Sequence, residues 1–476
     1  MSTPQPAPSS LFQRLWFVGF SGHRKMERPE EARAIIRQEL RSLASSLKGE
    51  LIGLSSAAAG ADLIFLETCA ELRIRTIVLL PFDRERFSQD FDNPEEWRRA
   101  IHCMDTALWC ETVGGNEDAP AAYHVVNREM LDIADRMIFL WDGLPARGLG
   151  GTAEVVMECH ERKIPARVIS AKDFTVRWQT DEPPSLASDP RFADLPPSRS
   201  IRELFEKLDT RATQGAPRSR WFAAGSMSVN HVATFVQASL LALSFSKEMG
   251  GIIKFTLAIV AACLPWVGAR MRLQERWVSD RVRAELLRSL LASHVPGSPL
   301  HPPTLDLFPA EMPFIRSAAV HLIPERADWE TAAKHYLSER LNGQIRYLTH
   351  KGNKAKERMR VFGTLFKVAS YGAIIFAGSA LLVNSFNYPV GNLLQRWAFG
   401  FLPAVLPGIA AWSLAMISVF ELKRRAKLYH HLVEELIRLR PKIEQAKCAS
   451  AAAKAIGQIE RLLLNELWEW QGPRKK

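Results

Sequence analysis

At 476 residues the chain is longer than one ordinary hydrophobic core organises, so two or three structural units are expected. Its net charge of +11 would suit nucleic acid or an anionic membrane surface, but the cations flank apolar blocks instead of forming a tract, which argues against nucleic acid as a partner. Six cysteines, at 69, 103, 110, 159, 263 and 448, show no Cys-x-x-Cys spacing and no histidine in ligand register. That pattern speaks against a metal centre or a disulfide framework and for scattered thiols in a reducing cytosol.

The Ser/Pro/Ala-rich start reads as a disordered tail over residues 1–14, and no cleavable signal peptide is expected because the first membrane-length apolar run begins after residue 220. Residues 15–170 then alternate short apolar runs with amphipathic stretches. Strands are expected at 15–20, 50–54, 75–80, 108–113, 136–141 and 166–169, and helices at 29–46, 61–72, 94–107, 119–134 and 152–162. Pro29, Glu30 and Glu31 suit the first turn of a helix. Strands alternating with helices predict an α/β, Rossmann-like unit with a doubly wound parallel sheet.

Residues 171–220 turn Pro/Asp/Ser/Arg-rich and read as a linker with a short helix near 199–210. Beyond them an all-α transmembrane region with four spans is expected. Residues 221–246 carry no formal charge and 249–269 carry only Lys254, giving a first hairpin over 221–269. The charged stretch 270–366, broken by prolines at 296–313, reads as a cytoplasmic helical connection. A second hairpin over 367–420 follows, charge-free at 368–395 and 397–420 and turning near Asn387, and 421–476 reads as C-terminal cytoplasmic helices. Arg270, Arg272, Arg276, Lys351, Lys354, Lys356, Lys423, Arg424, Arg425 and Lys427 all lie outside the paired blocks, which puts both termini in the cytoplasm of an inner-membrane, multi-pass protein. Membrane lipid and further copies of the chain are the expected partners, since four spans alone enclose little.

In a parallel sheet ligands sit beyond the carboxyl ends of the strands. Ser21, Gly22, His23 and Arg24 follow the first strand, Ser55, Ser56, Ala57, Gly60 and Asp62 the second, and Asp142, Gly148, Gly150 and Gly151 the strand that ends at Trp141. Small residues let backbone N–H groups approach a phosphate, and Thr152 and Glu154 open the helix that follows. Arg24 and Arg128 are candidate phosphate partners, Glu154 a candidate acceptor for ribose hydroxyls, and Asp62, His23 and Asp142 either contact ligand or hold their turns. This set suits a phosphorylated ribose ligand; no metal and no further cofactor is expected.

Three motifs in order, Gly22-His23-Arg24, Ala57-Ala58-x-Gly60-Ala61-Asp62 and Gly150-Gly151-Thr152-x-Glu154, resemble the SLOG superfamily of Rossmann-like proteins, which includes the LOG phosphoribohydrolases and DprA-like proteins. The later half resembles SLATT-type transmembrane effectors in its layout of paired spans and a cytoplasmic helix. The resemblance implies a receptor for a nucleotide second messenger, such as a cyclic ADP-ribose isomer, an ADP-ribose-like molecule or a cyclic oligonucleotide, made by an enzyme encoded nearby. It implies a membrane-permeabilising effector in bacterial anti-phage defence. For a LOG-type hydrolase it implies Glu154 and Arg128 as catalytic residues. Here Arg128 is followed by Glu129 rather than Lys and the Gly-rich loop lacks its leading Pro, which favours sensing over hydrolysis of an N-glycosidic bond. A nucleotide-gated ion channel is the remaining alternative.

Overall fold

The structure is a computed structural model that describes residues 11–115, 118–145, 150–179, 189–243, 247–270, 273–295, 297–302, 305–325, 328–386 and 388–471. Most of the expected tail, the loop containing Gly148, the turn at 244–246 and Asn387 lie outside the described residues. The chain divides into two units, one comprising the residues up to Ile201 together with Ser298–Leu305 and Pro309–Arg326, the other the remainder.

The first unit begins with β1 (Leu15–Gly22), α1 (Pro29–Ser46), β2 (Glu50–Ser55), α2 (Ala61–Glu71), β3 (Arg75–Leu80), α3 (Arg84–Ser88) and α4 (Pro94–Thr106). It continues with β4 (Trp109–Thr112), α5 (Ala119–Ile133), β5 (Arg136–Trp141), α6 (Thr152–Glu161), β6 (Ala166–Ser170), β7 (Val176–Trp178) and α7 (Pro190–Ala193). The helices start where sequence chemistry places a cap: Pro29 opens α1 with Glu30 and Glu31 beside it, and the Asn93 side chain accepts the Glu95 N–H ahead of α4. The strands form one sheet in the order β4-β3-β2-β1-β5-β6-β7. β7 alone runs antiparallel to its neighbour.

Strand order reverses direction between β1 and β5, so successive crossovers lay helices on both faces. Trp16, Val18 and Phe20 point with α1, α2 and α4 into one buried layer, where Phe20 stacks on Phe65 at 4.6 Å between ring centroids. Leu15 and Phe17 point the other way, into a layer closed by α5 and α6. Burial on both faces explains why these strands read as continuous apolar runs.

Three stretches differ from the sequence reading. Residues 11–14 are not a loose tail: Arg14 is buried and pairs with Asp135 at 2.6 Å and with Asp189, and Phe12 lies 5.9 Å from the Phe192 ring. The expected linker holds β7 and α7, and then enters a helix that continues far past residue 210. The expected 270–366 connection is divided, because 298–305 and 309–326 belong to the α/β unit.

The chain next forms α8 (Ile201–Ala242), α9 (Lys247–Arg270) and α10 (Leu273–Ser293) before α11 (Met312–His321) returns to the sheet. Leu300 and Val320 are buried in the same layer as α5 and α6. The Ser317 hydroxyl accepts the Leu15 N–H at 3.1 Å, and Arg316 donates to the carbonyls of Asp132 and Ile133 at the end of α5, at 3.1 and 3.0 Å. These contacts close backbone groups at the amino edge of the sheet and the carboxyl end of a helix.

The second unit adds α12 (Trp329–His335), α13 (Asn342–Ser385), α14 (Asn392–Arg396), α15 (Leu402–Val419), α16 (Leu422–Glu444) and α17 (Ala449–Gln471) to α8–α10, with π-helical turns at Tyr336–Leu341 and Trp397–Phe401. Among the described residues two helical stretches, Trp329–Ser385 and Asn392–Glu444, are long and apolar enough to cross a membrane, against the four spans expected. α8 carries a charged first half into a stretch with Asn230, His231 and Gln237, and α9 opens on Lys247 and Glu248 and holds Lys254. Parts of both helices' side chains lie outside the described residues.

Within this unit the helices run side by side. Ser226 on α8 donates to the Ala261 carbonyl on α9 at 2.7 Å, and the Trp412 indole on α15 donates to Ser228 at 3.2 Å. Small side chains line the contacts: Ala369 and Ala410 are buried, and Gly372 sits under Leu406. Large ones face outward, with Ile374 at 68% and Leu381 at 69% exposure. A second cluster, away from these helices' apolar midsections, buries Leu432, Leu436 and Leu439 of α16 against Ile456 and Ile459 of α17, and there Arg340 pairs with Glu460 at 2.8 Å.

Candidate functional site

β1 and β5 are neighbours whose following segments leave in opposite directions, which opens a crevice at their carboxyl ends. The turn after β2 closes one side of it. Gly60 has a φ of +85°, and a side chain there would meet the Arg24 carbonyl oxygen at 2.1 Å, so only glycine fits. The Ala61 N–H, at the start of α2, donates to the His23 carbonyl at 3.1 Å. Gly22 lies under the Ala61 methyl, with room for no side chain. Two strand-end turns are thereby fixed to each other through backbone groups.

Asp62 holds this arrangement from below. Its carboxylate is buried and accepts from the Ser56 hydroxyl at 2.6 Å. Burial raises its pKa, opposed chiefly by the hydrogen bond from Ser56 and by the neighbouring backbone N–H groups of Gly22 and Ala58. Ser55 is itself fully buried, and Ala57 adopts a left-handed φ of 55°. Ser55, Ser56, Ala57 and Asp62 thus form the floor of the crevice.

His23 joins β1 to β5. Its Nε2 accepts the Asp142 N–H at 2.9 Å, which places the ring proton of the neutral form on Nδ1. The Asp142 carboxylate in turn accepts the Leu144 N–H at 2.9 Å, closing the turn after β5. Arg24 is exposed, with its guanidinium 4.8 Å from the centre of the Tyr123 ring. The Tyr123 hydroxyl donates to Asp90 at 2.8 Å, and burial pushes its phenol pKa up.

The start of α6 forms the other side. Gly150 adopts a φ of +80°, and a side chain there would meet Pro120 and Tyr123 at 2.8 Å. Its N–H donates to Glu154 at 2.5 Å, and its carbonyl accepts from Asn127 at 3.2 Å. Gly151 is the capping residue of α6, and the Thr152 hydroxyl lies 3.5 Å from that of Ser21. The Glu154 N–H donates to the Gly151 carbonyl at 3.1 Å, while helix geometry leaves the Thr152 and Ala153 N–H groups without intrahelical acceptors, so α6 presents a positive end beside Ser21.

Glu154 is engaged on both oxygens: one accepts the Gly150 N–H, the other lies 2.8 Å from His124 Nδ1 on α5. Arg128 does not reach the crevice. It lies one helical turn beyond His124 and faces Glu158 at 3.5 Å. The crevice therefore gathers Ser21, Gly22, His23, Arg24, Ser55, Ser56, Ala57, Gly60, Asp62, Asp142, Gly150, Gly151, Thr152 and Glu154, and leaves Arg128 outside. Sequence reasoning missed His124, Tyr123, Asn127 and Asp90. The i, i+4 relation of His124 to Arg128 was the available signal, since both lie on the helix face that meets α6.

Fold and crevice define a Rossmann-like α/β unit followed in the chain by a helical unit with membrane-length apolar helices. Compared with known proteins, the chain matches no family model and no curated sequence.

Proposed function

We propose that the chain is a receptor for a nucleotide-derived signal whose binding drives a membrane-permeabilising response, and that it sits in the bacterial inner membrane as a multi-pass protein with both termini in the cytoplasm. The observation that carries the reading is the crevice at the β1/β5 reversal, with the open first turn of α6 beside Ser21, in the same chain as two membrane-length apolar helices. A phosphate would lie on the Gly151–Thr152 backbone, and the Arg24–Tyr123 pair would flank the rest of the ligand. α8 and α9 would complete four spans, since they pack against each other and Ile252 and Phe255 face outward. Self-association would then be needed to enclose a pore, and the resemblance places such a protein in anti-phage defence beside an enzyme that makes the signal.

Engagement of Glu154 by Gly150 and His124, with Arg128 turned to Glu158, favours sensing over N-glycoside hydrolysis. The test is dialysis of the full chain in lipid nanodiscs against NAD, ADP-ribose, cyclic ADP-ribose isomers and cyclic oligonucleotides, with chromatography of both chambers. One compound should be retained intact and stoichiometrically. Thr152→Asp, which sets a like charge at the phosphate position, should weaken its retention at least about tenfold, the loss of one charge-assisted contact. Release of a free base would replace the receptor with a hydrolase. If the retained ligand leaves the potential of proteoliposomes unchanged, the permeabilising half of the reading fails.

A further inference from the structure

The second unit contains a cavity that the nucleotide crevice does not use. It lies at the elbow where α15 ends and α16 begins, has a volume of about 980 Å³, and is a shallow, widely open depression. The elbow exists because Glu421 adopts a left-handed φ of 49°, which stops α15 at Phe420 and redirects the chain into α16. On α15 its lining is apolar, from Leu414 and Ile417. On α16 it is mainly cationic, from Lys423, Arg424 and Lys427, with Leu428 and His431 on the same helix face as Arg424 and Lys427.

Among the described lining residues the cations Lys423, Arg424 and Lys427 outnumber the carboxylates. Glu421 is the single carboxylate lining the cavity and faces Arg424 at 3.6 Å. Lys423 and Lys427 are exposed and pair with no carboxylate among the described residues. Gly352 of α13 packs on Tyr429, which brings the exposed Lys351, Lys354 and Lys356 to the level of the same stretch of α16. Meanwhile Leu414, on the apolar wall, is 54% exposed. A soluble phosphate would find the cations but would leave the apolar wall unused. An amphiphile with a negative head and hydrocarbon chains satisfies both.

We propose that the α15–α16 elbow binds an anionic phospholipid, its phosphate on Lys423, Arg424 and Lys427 and its acyl chains along Leu414 and Ile417. The proposal rests on the membrane reading of this unit and adds to it a defined lipid site. Position along the chain agrees with it. The apolar stretch of α15 ends within one turn of the cavity, the depth at which headgroups lie.

The experiment uses the full chain extracted from membranes in mild detergent, exchanged into mixed micelles of phosphatidylcholine with phosphatidylglycerol, and delipidated stepwise, with bound lipid measured by mass spectrometry. Phosphatidylglycerol should persist on the protein after phosphatidylcholine is lost. Lys423→Gln with Lys427→Gln should reduce it about thirty-fold, as two lysines each giving roughly a fivefold preference for an anionic surface require. Lys423→Arg with Lys427→Arg should retain it, and Lys447→Gln with Lys454→Gln, an equal change of charge in the segment beyond α16, should leave it unchanged.

Equal loss in the Lys447/Lys454 variant would reduce the effect to net charge and overturn the site, as would full retention in the Lys423/Lys427 variant. Displacement of the lipid by millimolar inorganic phosphate would reassign the cavity to a soluble anion. Flotation with liposomes separates the two levels of the argument. A chain that floats with neutral and anionic vesicles alike yet holds no phosphatidylglycerol loses the lipid site alone, whereas a chain that floats with neither loses the membrane reading and the site together.

Discussion

The α/β unit and the helical unit place their apolar side chains by opposite rules. In the first, Phe17, Phe20, Phe65 and Phe139 are fully buried between layers, and few large apolar side chains face outward, Met157 among them. In the second, Ile374, Ile375 and Leu381 face outward while alanine, glycine and serine occupy the helix contacts. A water-facing surface must be polar, because burying apolar area is what drives folding. A lipid-facing surface gains nothing from hiding its hydrocarbon, and close helix approach through small residues supplies the cohesion instead. The second pattern is the one a lipid-facing helical unit would show.

That comparison can be broken most directly by truncating one large side chain in each unit. Phe20→Ala removes a ring stacked on Phe65 in a closed layer and should cost about 3–5 kcal/mol, read as loss of cooperative thermal unfolding of the α/β unit. Ile374→Ala removes a comparable side chain from an outward face and should leave the unfolding of the detergent-solubilised protein nearly unchanged. A large loss at Ile374 would mean that this face is covered by protein rather than lipid.

Within the α/β unit, Asp62→Ala should destabilise by on the order of 2 kcal/mol, because the buried Ser56 hydroxyl loses its charged acceptor. Ligand retention should fall with it, since those groups set the crevice floor. Full retention despite the stability loss would show that the ligand does not use this turn.

The smallest effect concerns the return of residues 298–305 to the sheet. His301 lies against Glu129 on α5, and that hydrogen bond raises its pKa above 6.5. A raised histidine stabilises the fold fully below its unfolded pKa of about 6.5 and loses that contribution as pH rises through the folded value. Melting temperature should therefore decline as pH rises above about 6.5, and His301→Gln should flatten the decline without changing the behaviour of Phe20→Ala.

Much of the α/β unit was legible because its signals are local. Short apolar runs marked β1, β2, β3, β5 and β6, with glycine at the turns beside β1, β2 and β5, and Pro29 with two acids marked α1. The short β7 was missed because it pairs by a single antiparallel edge and carries no apolar run of its own. In the crevice, the turns at Gly22, Gly60 and Gly150 could be read from glycine and strand ends, whereas the exclusion of Arg128 could not, since its direction depends on Glu158 across the α5–α6 contact. His124 lacked any motif; only the approach of two helices pairs it with Glu154.

By itself the sequence determined the periodicities: which stretches alternate, which are apolar along membrane length, and where glycine permits a turn. Those properties follow from covalent geometry and side-chain chemistry acting over a few residues. Only the tertiary structure decided that Phe12 and Arg14 are built into the fold, that α11 returns more than a hundred residues later to cap α5 and β1, and that the α15–α16 elbow gathers three cations beside an apolar wall. Such pairings cost chain entropy that local sequence does not encode, and they form because burial and hydrogen bonding at the meeting point outweigh it.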